Sequence, residues 1–189
     1  MEITRCGWCE KDDLYRKYHD EEWGKPVFDD ETIFEFLVLE SFQAGLSWYT
    51  VLKKRQNFRE AFDDFHFGKI ALYSTEKVEE LMSNEGIIRN RLKILATINN
   101  AQKFQEIWRE FGTFSQYIWS FVDGKPLVNY PQTLQDVPAT TEVSDALAKD
   151  LKKRGFKFLG STVVYAHMQA TGMVDDHLVD CHCKKNAAK

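Results

Sequence analysis

Chain breakers are scarce in this protein: its 189 residues include only 4 prolines and 10 glycines, so long regular elements meet few interruptions. No apolar run approaches the ~20 residues that a membrane span needs. The first residues, MEITRCGWCE, lack the basic end and apolar stretch of a signal peptide. These absences point to a cytoplasmic chain without a membrane partner, whose 4 cysteines stay reduced. Positive charge is not in excess either. Lys and Arg total 25 against 29 Asp and Glu, a net charge of −4, which speaks against nucleic-acid binding through bulk charge but not through a local patch. Repeats, low-complexity stretches and linkers are missing, which leaves residues 1–189 as one unit. What is abundant is apolar and aromatic matter: 43% hydrophobic residues, with 14 Phe, 7 Tyr and 5 Trp, enough for a packed core and too much for a disordered chain.

Helical periodicity dominates, and no segment alternates apolar and polar residues convincingly, so the expected fold is all-α. Asp29 or Asp30 can cap a helix carrying Ile33, Phe34, Leu37 and Val38, and Ser47 can cap the next, with Trp48, Val51 and Leu52 on one face. Ser74 opens a third, ended near Gly86. A long helix carries Ile94, Ile98, Ala101, Phe104, Trp108 and Phe111, and Thr113 starts a short one. Residues 123–142 hold three of the four prolines and read as loop.

Residues 144–172 read as a helix from Ser144 to Lys153, a tight turn, and a helix capped by Ser161. Gly155 can take positive φ at the first helix end, and Gly160 can let another backbone come close. The free N–H groups of the second helix start favour a phosphate, and Lys152, Lys153, Arg154 and Lys157 flank the turn. The same pattern also describes an ordinary hairpin with a solvated basic face. Lys53, Lys54 and Arg55 form a second basic cluster, and Arg89, Arg91 and Lys93 a third.

Thiols and imidazoles gather at the two ends: Cys6, Cys9 and His19 against His177, Cys181, His182 and Cys183. These are zinc ligand types, and four of them make a closed structural site. His177 and Cys181 share a face at helical spacing, with Cys6 and His19 able to complete the set; a Cys6–Cys9 redox pair and a four-cysteine set are the competing readings. Glu40 follows the apolar run Phe36–Leu39, so it is half buried and needs donors. Trp8, Tyr18, Trp23 and Trp48 could stack an extruded base, although aromatics at such spacings also make ordinary cores.

Taken in order, RCGW at 5–8, YHDEEWG at 18–24, LESFQAGLSW at 39–48, EGIIRNRLKI at 85–94, YIWSF at 117–121 and the hairpin with its following VDDH form a specific pattern. It resembles the DNA-3-methyladenine glycosylase I family, zinc-containing members of the helix–hairpin–helix glycosylases, from about Arg5 to Cys181. The resemblance implies a two-lobed all-α enzyme that grips double-stranded DNA containing alkylated adenine and works as a monomer. It implies one structural zinc joining the chain ends through Cys6, His19, His177 and Cys181, leaving Cys9, His182 and Cys183 outside. It places Glu40 in the base pocket, with Tyr18 and Trp48 bracketing the base and Trp8 and Tyr15 in the wall. Phosphate contacts fall to Gly155, Lys157, Gly160 and Ser161. Related enzymes carry a catalytic Asp in a VD-x-H pattern, which puts Asp175 forward as a second catalytic candidate or a structural acid beside the metal. Thr162 stands where lyase-type relatives carry a Schiff-base lysine, which implies hydrolysis without strand cleavage. Competing functions are a non-enzymatic zinc and hairpin module that binds DNA structure, and a glycosylase for another lesion such as an oxidised purine.

Overall fold

A computed structural model describes residues 3–43 and 45–184. Nine α-helices occupy most of the described residues: α1 (Asp13–Glu21), α2 (Asp30–Gln43), α3 (Trp48–Ala61), α4 (Phe67–Ile70), α5 (Thr75–Ser83), α6 (Arg91–Phe111), α7 (Phe114–Trp119), α8 (Glu142–Lys153) and α9 (Ser161–Ala170). The mostly helical expectation therefore holds. One small departure is a parallel pairing of β1 (Leu127–Val128) with β2 (Val174–Asp175). Two residues per strand are too short for alternation to show in sequence.

Capping explains most of the starts. Side chains of Asp12, Ser47, Ser74, Asn90 and Thr113 each accept a hydrogen bond from a backbone N–H in the first turn of the helix they precede. Asp29 accepts from Thr32 N, whereas Asp30 reaches across to the amides of Phe114 and Ser115 and so fastens α7 to α2. Two expected caps move. Thr141, not Ser144, begins α8, in a reciprocal box in which Ser144 is the third helical residue. Gly160, not Ser161, precedes α9, so no side chain caps that helix. At the end of α5, Asn84 follows the last turn and Gly86 lies beyond it.

The centre of the molecule is α2. Every residue from Ile33 to Phe42 is buried, so the helix is covered on all sides rather than along one stripe. It packs on α3, α6, α7 and α9. Each fully buried large apolar side chain contributes about 1.5–3 kcal/mol, and Phe34, Phe36, Leu39 and Phe42 are all within that class. The buried acid Glu35 is held by Arg55 at 2.7 Å and Arg59 at 2.8 Å. The second basic cluster is thus partly internal, since Arg55 also pairs with Glu22 at 2.6 Å. Removing one member of such a buried pair would strand a charge at a cost of about 3–5 kcal/mol.

Candidate functional site

Where α1, α2, α3 and α9 meet, a cavity of about 300 Å³ is lined by Trp8, Tyr15, Tyr18, Trp23, Glu40, Gln43, Trp48, Leu134, Val137, Ala166, Gln169 and Asp176. Its aromatic walls support one another. The Trp8 ring lies 5.0 Å from Tyr15 and 5.1 Å from Trp23, and Tyr18 lies 5.5 Å from Trp48. All five pocket residues expected from the sequence are therefore brought together. The expected bracketing by Tyr18 and Trp48 is not formed: a flat base between two rings needs about 7 Å, two van der Waals separations. These rings are closer than that and tilted by 44°. A base must lie across one face of the pair or part them.

Glu40 sits on the covered face of α2 and is 4% exposed, more deeply buried than the half-buried acid expected. Its Oε2 has no hydrogen-bond partner among the described residues, and neither has the indole N–H of Trp48. Burial alone pushes the Glu40 carboxyl from 4.5 up to about 8. An unpartnered acceptor and an unpartnered donor in one aromatic cavity are the features of a site waiting for a flat, polar-edged ligand.

The structure moves the other acidic candidate. Asp175 is 3% exposed and does not line the cavity. Its Oδ1 accepts from the backbone N–H of His177 and lies 2.8 Å from the Nδ1 of the same residue. Of the two roles open to it, the structural acid beside His177 is the one its position suits. The carboxylate in the cavity wall is its neighbour Asp176, which the VD-x-H pattern passes over. Gln43 and Gln169 are further wall residues; each lies within a quoted segment, LESFQAGLSW and the hairpin, but helix amides carry no periodicity that would single them out.

Behind the aromatic wall residues 4–6 meet residues 178–182. Leu178 N donates to Cys6 Sγ at 3.4 Å and His182 N to Thr4 O at 2.9 Å. Ligand atoms of His19, His177, Cys181 and Cys183 lie within 4.8 Å of one another, and the Cys6 thiol adjoins that of Cys181. Cys183, excluded by the expected ligand set, is therefore also at hand. It stands 4.0 Å from His19 Nδ1, the nitrogen that Asp20 already engages at 2.8 Å. The donor chemistry fits a metal. Both histidines have one ring nitrogen held by a carboxylate, the arrangement that orients metal-binding imidazoles. The other nitrogen of His177 is buried without a partner, and that of His19 lies 3.5 Å from Cys181 Sγ. Burial lowers the His19 pKa against the pull of Asp20, which favours the neutral ring a metal requires. Space here is tight: a Cβ on Gly24 would lie 2.6 Å from the His177 ring. Cys9 turns away and donates to Cys6 O at 3.1 Å.

The hairpin joins α8 to α9. Gly155 takes φ +93 at the end of α8, as expected. The turn is latched to α6: Asn100 donates to Lys157 O and accepts from Lys157 N, each at 2.8 Å, and Asn99 donates to Gly155 O at 2.9 Å. At Gly160 nothing lies within 4 Å of an added Cβ, so the space above it is open to an outside group. Ser161 spends its hydroxyl on Ser144 and Asp145, so its backbone N–H is what remains for a ligand. Lys149, Lys152, Lys157 and Phe158 rim the depression. Arg154 is not available, being paired with Asp150 and Glu110. The third basic cluster thins as well: Arg91 pairs with Glu79, and Lys93 is buried, donating to Phe42 O.

Comparison with known proteins matches this arrangement to one family. The family model described as methyladenine glycosylase matches residues 8–185. The DNA-3-methyladenine glycosylase of Haemophilus influenzae is 51% identical over 96% of this chain and 98% of its own length. DNA-3-methyladenine glycosylase 1 of Escherichia coli is 50% identical over 96% and 97%. A solved 3-methyladenine DNA glycosylase I from Staphylococcus aureus, whose structure concerns 3-methyladenine recognition, superposes with a TM-score of 0.94 at 39% identity over 98% and 99%. A cavity of five aromatic rings around a buried acid, beside an open hairpin, thus sits in a chain matched along nearly its whole length, and the protein belongs to the methyladenine glycosylase family.

Proposed function

We propose that this protein flips 3-methyladenine out of alkylated duplex DNA and hydrolyses the bond between that base and its sugar, acting as a monomer and leaving the strand intact. One observation carries the reading: the buried, unpartnered carboxyl of Glu40 inside an aromatic cavity. Adenine methylated at N3 is a cation while it remains attached to DNA, and it leaves as a neutral base. Its bond to the sugar is already weak, so positioning and electrostatics supply much of the rate. The rings of Trp8, Tyr15, Tyr18 and Trp48 offer electron-rich faces to that cation. Glu40 accepts from the amino group and, once the cation enters, gives its proton to solvent and faces the base as a carboxylate. A poorly paired lesion also costs less to extrude than a normal base.

The hairpin serves the backbone. Open amides at the start of α9, with Gly155, Lys157, Gly160 and Ser161 around them, suit a phosphate and carry no sequence preference. Thr162 offers no amine for a Schiff base, in keeping with simple hydrolysis. Cys6, His19, His177 and Cys181 would hold one zinc ion, whose four protein ligands leave no open position and so make it a crosslink rather than a reagent. A module that only binds DNA structure has no use for a buried acid without a partner, since that acid lowers stability.

The test is incubation of purified protein with methylated duplex, followed by chromatography of what is released. Free 3-methyladenine with an uncut strand is the expected result. Tight binding with no base released would leave the binding module, and release from oxidised but not methylated DNA would name the other lesion.

A further inference from the structure

Asp176, buried in the cavity wall, is surrounded by neutral donors. Its Oδ2 accepts from Tyr165 Oη at 2.6 Å and from Gln169 Nε2 at 2.8 Å, and its Oδ1 accepts from Asn129 Nδ2 at 2.8 Å. Both Asp176 oxygens are thus engaged as acceptors, and Gln169 turns its NH₂ end toward Asp176. Its Oε1 is left as the free end, with no partner among the described residues, on a side chain that lines the same cavity as Glu40. An unrestrained glutamine could offer either a donor or an acceptor by rotating; this one is fixed as an acceptor.

We propose that Gln169, held in that orientation by Asp176, is the second acceptor for the exocyclic amino group of the flipped base and so sets the preference for adenine over guanine lesions. The inference rests on the function proposed above. An amino group has two hydrogens, and one acceptor, Glu40, satisfies only one of them. Guanine presents a carbonyl oxygen at the same ring position. Two fixed acceptors facing that oxygen leave three acceptors without a donor, which a buried site rejects strongly. Asp176 acts through Gln169 and is a positioning residue; Gln169 touches the base.

The test measures single-turnover release of 3-methyladenine and of 3-methylguanine from one methylated duplex. Gln169→Leu removes the acceptor at similar size and should cut the ratio of adenine to guanine release by about tenfold, the loss expected for one buried hydrogen bond to substrate. In Asp176→Asn the amide oxygen keeps the bond from Asn129, so the NH₂ falls at the Oδ2 position and donates to Gln169 and to the Tyr165 hydroxyl oxygen. That lets the Gln169 amide rotate and present a donor, and the ratio should fall again, with guanine release rising in absolute terms. A purely structural role for either residue would slow both releases equally. An unchanged ratio in Gln169→Leu overturns the proposal, whatever Asp176→Asn does to folding. Failure of the unsubstituted protein to release either base would instead overturn the function on which it rests.

Discussion

Glu40 shows how a single side chain can be costly to the fold and useful to the reaction. Its carboxyl is raised from 4.5 to about 8 in the folded protein by burial. Between those values the folded chain keeps a proton that the unfolded chain has lost, so stability is greatest below the lower value and falls as pH rises toward the upper one. Glu40→Gln has no such proton. Urea unfolding at about pH 5 and about pH 9 should show a clear decline for the native protein and a smaller one for the variant, which becomes the more stable of the two at the higher pH. Excision should move the other way. The amide keeps one acceptor but loses the charge and turns donors toward the amino group, so single-turnover release of 3-methyladenine should drop by roughly tenfold or more. Binding to undamaged duplex should stay the same. Equal release rates from the two folded proteins would remove Glu40 from the chemistry.

At the scale of elements, the hairpin is a rigid grip because α6 holds it. Asn100 spans the turn with two hydrogen bonds to the backbone of Lys157. Asn100→Ala should therefore weaken DNA binding without touching any DNA-facing group, and hydrogen exchange at residues 155–160 should quicken. Lys157→Ala should weaken binding to damaged and undamaged duplex by similar factors and flatten the salt dependence of binding by about one counterion. Selective loss for damaged DNA would place Lys157 in lesion recognition instead. Helices were readable in the sequence because caps and threefold-to-fourfold spacing are local; Ser47, Ser74 and Thr113 stand where that reading puts them. The start of α8 was misplaced by three residues because Thr141 and Ser144 are both good caps and the reciprocal pair is decided by geometry. Charge clusters misled for the same reason. Nothing near Arg55 in sequence reveals that Glu35, 20 residues away, neutralises it, and Arg154 is paired with Glu110, 44 residues away, as well as with Asp150 one turn back. In the cavity, Trp8, Tyr18, Trp23, Glu40 and Trp48 stood inside recognisable motifs. Gln169 and Asp176 lay within the hairpin and its following VDDH without being singled out, since what distinguishes them is which of two adjacent acids faces the wall and which way an amide turns.

Over the whole molecule, residues 4–6 and 178–182 are joined where His19 and His177 approach within 5.0 Å, ring to ring. Trp23 belongs to this junction and to the cavity, packing on His177 at 4.6 Å and on Trp8 at 5.1 Å. Cys181→Ser should consequently lower bound zinc and melting temperature together, and chelation should reproduce both effects; a metal-free protein with undiminished melting temperature would show that the junction needs no ion. A metal ion held there would close a loop of most of the chain and so restrict the unfolded chain more than a local crosslink could. The same junction also orders events during synthesis. A nascent chain presents Trp8, Tyr15 and Tyr18 long before His177, against which Trp23 of the same wall packs. The base pocket thus cannot be completed until His177 has emerged, and a polypeptide stalled before that point carries the aromatic residues of the enzyme without its capacity to open DNA.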